Sequence, residues 1–308
     1  ENAIFKFVDK KWGAEVDEEF GNFDYLMGAD LDFSNQRVVK ECIDWGKWYL
    51  DLTKVDGFRL DAVKHIDADF YEKWIQTLRD ESKKELFAVG EYWATDVNRL
   101  HRYITETEGK ISLFDVPLHY NFFNASNDPN YNMAQILEHT LVKENPCKAV
   151  TFVDNHDTQP GQALQSFVQG WFKLIAYSII LLRNDGYPCV FYGDYYGIEH
   201  DHIEPVNDLK TLMLIRKEKS YGLQHDYFDH NNFIGWTQEG DDEHINSGLA
   251  VVISNAGDGY KRMYVGNQNI GETYIDSLGN CEEEVTIDED GCGNFGVKSR
   301  SVSVWIKK

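Results

Sequence analysis

Two kinds of hydrophobic pattern divide the 308-residue chain. Up to about residue 220, stretches with apolar residues at helical spacing alternate with short, nearly continuous apolar runs. Asn35 or Ser34 can cap a helix to about Leu52, with Val39, Cys42, Ile43, Trp48 and Tyr49 on its inner face. A strand leading to Asp61 follows. Asp67 opens a second helix to about Ser82, and a further strand leads to Glu91. Helix then strand recurs, with strands ending near Asp115, Asp154 and Tyr192. An apolar helix is predicted over about 162–183 and a last one over about 208–219. This alternation predicts an α/β fold, with a parallel sheet of five strands and helices outside it, over 36–220. From about Tyr221 short alternating runs take over (233–237, 249–254, 262–265, 301–306), separated by Gly and Asn turns. They predict an antiparallel β domain over 221–308.

Within the first strand, Phe58 and Leu60 fall on one face and Arg59 and Asp61 on the other. Burying either charge alone is costly, whereas a guanidinium can hydrogen-bond a carboxylate and hold it as an anion. That suits an anionic nucleophile; a plain ion pair at the strand's wet end is the alternative. Two more apolar runs also end in acids: FAVGEYW at Glu91 and AVTFVDNHD at Asp157. In a parallel barrel all strands end at one face, which carries the chemistry. Asp61, Glu91 and Asp157 would then converge.

The net charge of −22 argues against nucleic acid or an anionic membrane as a partner, since both need a basic patch. No apolar run approaches the roughly 20 residues of a membrane helix. Aromatic residues make up 14% of the chain, which suits stacking on sugar faces and equally suits a packed core. The five cysteines are scattered, with no spacing for zinc. Most read as buried thiols; Cys281 and Cys292 flank an acidic stretch shaped like a hairpin and could meet as a disulfide. The HD spelling of His156-Asp157 also occurs in metal-dependent phosphohydrolases, but the further histidines that reading needs are not nearby.

FRLDAVKHI, GEYW and FVDNHD, in this order, resemble the sequence signatures of the α-amylases of glycoside hydrolase family 13, most closely the liquefying bacterial type. FDYLMGADLDF (23–33), FDVPLHYNF (114–122), FVDNHDTQPGQ (152–162), GYPCVFYGDYYG (186–197), HDYFDH (225–230) and KRMYVG (261–266) extend the likeness over essentially the whole chain. The resemblance implies a (β/α)8 TIM-type barrel, incomplete here and represented by strands four to eight, plus a C-terminal antiparallel β-sandwich. Residues 1–35 would be the remnant of an inserted metal-binding domain. The family's first three strand–helix units have no counterpart in the sequence, and a second chain supplying them is a possible partner.

The resemblance also implies roles. Asp61 would be the nucleophile, Glu91 the general acid/base and Asp157 the residue that distorts the sugar. Arg59, Lys64, His65, Trp93 and His156 match substrate-binding positions, and Tyr92 is a further candidate along the sugar path. Asp24 and Asp30 match ligands of a structural calcium, which the main-chain carbonyl of His65 would join. Asp32 matches a ligand of a second ion, but Gly13 and Ser34 stand where acids are expected. Asn231, Asn232 and Asn255 occupy a third family metal site where His or Asp is expected, so that site is predicted to be lost. The implied activity is retaining endo-hydrolysis of α-1,4-glucans, with an α-glucan as partner and calcium as structural ion. The alternatives are a catalytically silent glucan-binding or partner-requiring piece, and transglycosylation at the same intermediate. Unpaired cysteines lean towards a cytoplasmic location, whereas liquefying amylases are mostly secreted.

Overall fold

The structure is a computed structural model and describes residues 31–308. Helices and strands alternate through its first part: α1 (Gln36–Thr53), β1 (Gly57–Leu60), α2 (Ala68–Ser82), β2 (Phe87–Gly90), α3 (Val97–Glu106), β3 (Ser112–Phe114), α4 (Val116–Asn127), α5 (Leu141–Glu144), β4 (Ala149–Phe152), α6 (Gly170–Leu181), β5 (Tyr187–Cys189), α7 (Tyr192–Tyr196) and α8 (Leu209–Lys219). The strands follow the order β1-β2-β3-β4-β5 in one sheet, and the β1–β2, β2–β3 and β3–β4 ladders are parallel. This is the expected α/β barrel sheet, with five strands among the described residues. Two compact units divide the described residues: 31–116 with 148–150, and 117–147 with 151–308.

In the first unit, capping side chains set the helix starts. Asn35 accepts from the Arg37 N–H and Asp67 from the Asp69 N–H, each satisfying an N–H that has no partner within its helix. The inner face of α1 differs from the sequence expectation. Val39, Gly46 and Leu50 are buried, Cys42, Ile43 and Tyr49 are half-buried, and Trp48 is exposed. The reason is Gly46. A Cβ there would lie 2.7 Å from the Trp74 ring, so α2 presses its indole onto the α1 backbone instead of meeting an aromatic face. The Trp74 Nε1–H donates to Cys42 O at 3.0 Å and fixes that approach.

In the second unit, α6 starts at Gly170, eight residues later than the start predicted near 162. The Val168 N–H is turned to the Asp154 carboxylate and the Ser166 N–H to Thr158 O, so neither closes a helical turn. Beyond α8 come β6 (Gln224–Tyr227), β7 (Phe233–Gln238), β8 (Leu249–Ser254), β9 (Gly259–Tyr264), β10 (Thr273–Asp276), β11 (Val285–Thr286), β12 (Cys292–Val297) and β13 (Ser301–Lys307). They form an antiparallel sheet of order β11-β10-β13-β8-β7-β6 and a two-stranded β12-β9 sheet. Val252, Met263, Phe295 and Trp305 from both sheets share one buried core, as alternating strands require. The Trp236 Nε1–H donates to Leu182 O at 2.8 Å, and the Arg300 guanidinium lies 4.1 Å from the Trp171 ring centre, tying these sheets to α6. Cys281 and Cys292 do not form the disulfide: all five thiols are free, with the Cys281 Sγ 3.6 Å from Ser303 Oγ and the Cys292 Sγ 3.7 Å from Asp290 O. Among the described residues no helix is long and apolar enough to cross a membrane.

Candidate active site

The first unit brings Arg59, Asp61 and Glu91 together. The β1–β2 register ends at Leu60↔Gly90, so Asp61 and Glu91 are the next positions on neighbouring strands. Main-chain bonds carry the ladder past its end: the Glu91 N–H donates to Leu60 O at 2.9 Å, and the Val63 N–H donates to Glu91 O at 3.0 Å. Ala62 then takes a left-handed conformation, φ 44°, and turns the chain into a one-turn 3-10 helix, Val63–His65. Adjacent strands lie roughly 4.8 Å apart. Two side chains at equivalent register therefore start about that far apart.

Arg59 joins both acids. One guanidinium nitrogen pairs with the Asp61 carboxylate and the other donates to Glu91 Oε2 at 2.9 Å. The acids differ in environment. The Glu91 side chain is 9% exposed and that of Asp61 75% exposed. Burial pushes the Glu91 carboxyl above the usual glutamate range. Arg59 and the Ala62 N–H, 3.4 Å from Oε2, pull the other way, and the neighbouring Asp61 adds to the rise. Tyr92 is buried, with its ring 5.3 Å from that of Tyr103. Lys64, His65 and Trp93 are half-buried.

The second unit places His156 and Asp157 on the segment leaving β4. Asn155 Oδ1 accepts from the Asp157 and Thr158 N–H groups, at 2.8 and 3.0 Å, and shapes this turn. His156 Nε2 is 3.3 Å from Asp157 Oδ2, with His156 exposed and Asp157 half-buried. Sequence reasoning missed what lies beneath. Asp154, Lys173 and Asp194 form a buried charged group, and burial raises the Asp154 carboxyl to about 7. His119 is buried as well, with Nδ1 2.6 Å from Val153 O and Nε2 2.8 Å from Ser166 Oγ, and burial lowers it to about 4. One signal was available: a single lysine inside the apolar run GWFKLIAYSIIL requires a buried counter-charge.

Of the metal candidates, Asp24 and Asp30 lie outside the described residues. The Asp32 carboxylate accepts from the Ser34 N–H at 3.0 Å and from the Ser34 hydroxyl. Among the described residues no group of three or more His, Cys, Asp or Glu side chains is placed to hold a metal. At the third position the Asn255 amide donates to Tyr131 O at 2.9 Å, and the Asn255 N–H donates to Asn232 O at 3.1 Å.

A parallel strand–helix array that ends in an acid pair, followed by an antiparallel β domain, is the layout of a barrel-type carbohydrate-active domain. The chain belongs to the α-amylase family: the model of the α-amylase catalytic domain matches residues 1–247 and that of the α-amylase C-terminal domain residues 249–306. It is 52% identical to an α-amylase of Geobacillus stearothermophilus and 49% identical to one of Bacillus licheniformis. Each match covers the whole of this chain but only 57% and 61% of the respective relative. The fold is also similar to the crystal structure of an Anoxybacillus α-amylase, with a TM-score of 0.71 at 19% identity over 92% of this chain and 66% of that one.

Proposed function

We propose that this chain carries the catalytic acids of a retaining endo-hydrolase of α-1,4-glucans, with Asp61 as nucleophile and Glu91 as general acid/base. The observation that carries the reading is the unequal pair: an exposed Asp61 and a buried Glu91 of raised pKa, side by side on one guanidinium. A retaining glycosidase needs two carboxyl groups about 5–5.5 Å apart, whereas an inverting one leaves about 6.5–9.5 Å for a water. Acids at equivalent register on adjacent strands, joined by one guanidinium, belong with the first class. Glu91, protonated to higher pH, donates its proton to the glycosidic oxygen as Asp61 attacks the anomeric carbon. Glu91 then takes a proton from the water that hydrolyses the glycosyl–Asp61 ester.

On the family resemblance, Asp157 and His156 hydrogen-bond sugar hydroxyls, Trp93 lines the sugar path and Lys64 meets the leaving-group side. Calcium fits the donor set that Asp24, Asp30 and the His65 carbonyl would present, because every donor is an oxygen and a hard cation takes oxygens. Its part would be structural, fixing the turn behind Asp61.

The test is hydrolysis of a blocked maltoheptaoside by the purified chain with calcium, with the anomer of the product read by NMR and Asp61→Asn as control. The reading requires an α product that vanishes in the control. A folded chain that releases nothing until a second chain with the preceding strand–helix units is added would make it the partner-requiring piece instead.

A further inference from the structure

Lys173 stands in the first turn of α6 and is buried. Its ammonium lies 3.0 Å from Asp154 Oδ2, pairs also with Asp194 Oδ1, and sits 3.4 Å from the centre of the Phe167 ring. The Asp154 carboxylate accepts in addition from the Thr158 hydroxyl at 2.8 Å and from the Val168 N–H at 3.2 Å. Asp194 Oδ2 accepts from the Tyr177 hydroxyl at 2.7 Å, and that oxygen accepts from the Phe191 N–H at 3.3 Å. One buried cation is therefore shared by two buried carboxylates, from the segments after β4 and after β5. Such a group is poor value as a source of stability, since well-packed apolar side chains commonly do as well. Its geometry serves something else.

The Asp154 carboxylate holds the loop between β4 and α6 at two points: its bond from Thr158 closes the turn that carries His156 and Asp157, and its bond from Val168 fixes the loop's far end. The Ser166 N–H, donating to Thr158 O at 3.1 Å, closes the same base. A second anchor works from α4: His119 spans Val153 O and Ser166 Oγ. Beyond these anchors the chain projects His156 and Asp157 on a turn of three residues.

We propose that Lys173 is a positioning residue: through Asp154 it fixes the base of the β4 loop, and so the direction in which His156 and Asp157 are presented. This rests on the reading of Asp157 as a substrate-binding carboxylate. The primary variant is Asp154→Asn, which keeps an oxygen acceptor for Thr158 and Val168 but loses the ion pair, and leaves Lys173 with a single counter-charge. The second is Lys173→Met with Asp194→Asn, which removes one charge of each sign and preserves the buried total. In either, the amides of Thr158, Ser166 and Val168 should exchange with deuterium about tenfold faster, the equivalent of roughly one lost hydrogen bond, while those of β8 are unchanged. In hydrolysis, Asp157→Ala should cost less in the variant than in the parent chain, since residues acting as one unit are not additive. Unchanged loop exchange in a folded variant, or full additivity with Asp157→Ala, overturns the proposal. If the parent chain hydrolyses no glucan, the catalytic reading fails and loop exchange alone decides this one.

Discussion

Asp61 and Glu91 occupy the same register position on neighbouring parallel strands, one step beyond the last pair Leu60↔Gly90, and one Arg59 guanidinium pairs with both carboxylates. What separates their chemistry is burial, since both touch the same Arg59. Arg59 lowers the Glu91 pKa, so its removal should raise it further. In Arg59→Met the alkaline limb of the pH–rate profile, where the acid/base loses its proton, should move to higher pH. Replacing the acid itself, Glu91→Gln, should cost roughly 10²–10⁴ in kcat on an unactivated glucan. The profile of kcat against pH checks both.

Gly46 predicts a packing penalty. A Cβ at that position meets the Trp74 ring at 2.7 Å, and the ring is tethered by its bond to Cys42 O. Gly46→Ala should destabilise the chain by about 1–3 kcal/mol despite alanine's better helix propensity, because overpacking outweighs the roughly 1 kcal/mol that propensity returns. Urea denaturation measures the sign directly.

Asp154 and His119 pull the pH dependence of stability in opposite directions. His119 is lowered to about 4, so between that and its ordinary 6.5 the unfolded chain binds more protons, and this contribution rises with pH. Asp154 is raised to about 7 from an ordinary 3.8, so the folded chain binds more protons across that span, and its contribution falls with pH. The two should largely offset each other between pH ~4.5 and ~6.5. His119→Asn should unmask a decline in stability with rising pH, and Asp154→Asn a gain. Urea midpoints at a series of pH values would show it.

All five thiols should titrate with a thiol reagent in denaturant without reductant. Three rather than five would mean that Cys281 and Cys292 are bridged after all.

The sequence was legible where local rules act on consecutive residues. Asp67 as a cap, the strand ends at Asp61 and Glu91, and the places of β7, β8 and β13 followed from spacing, although these three strands are buried on both faces rather than alternating. Reading failed where a distant partner overrides the local pattern. Trp48 belonged to an apolar stripe, but Gly46 let Trp74 take the inner face of α1. The helix predicted from about 162 gave up its first turns because Asp154 claims the Val168 N–H. Paired cysteines looked plausible eleven residues apart, yet Cys281 points to Ser303 on β13. At the site, the acids could be named in sequence. The unequal burial of Asp61 and Glu91, and the Lys173 group beneath Asp157, exist only once the strands are laid side by side.

As nucleophile, Asp61 would become covalently glycosylated in each turnover. A 5-fluoro-glucosyl fluoride, which forms the ester and slows its hydrolysis, should trap it. Digestion and mass spectrometry should then find one added sugar on the peptide carrying Asp61, and none in Asp61→Asn. A folded chain that hydrolyses glucan but carries the label elsewhere, or carries none, would contradict the account.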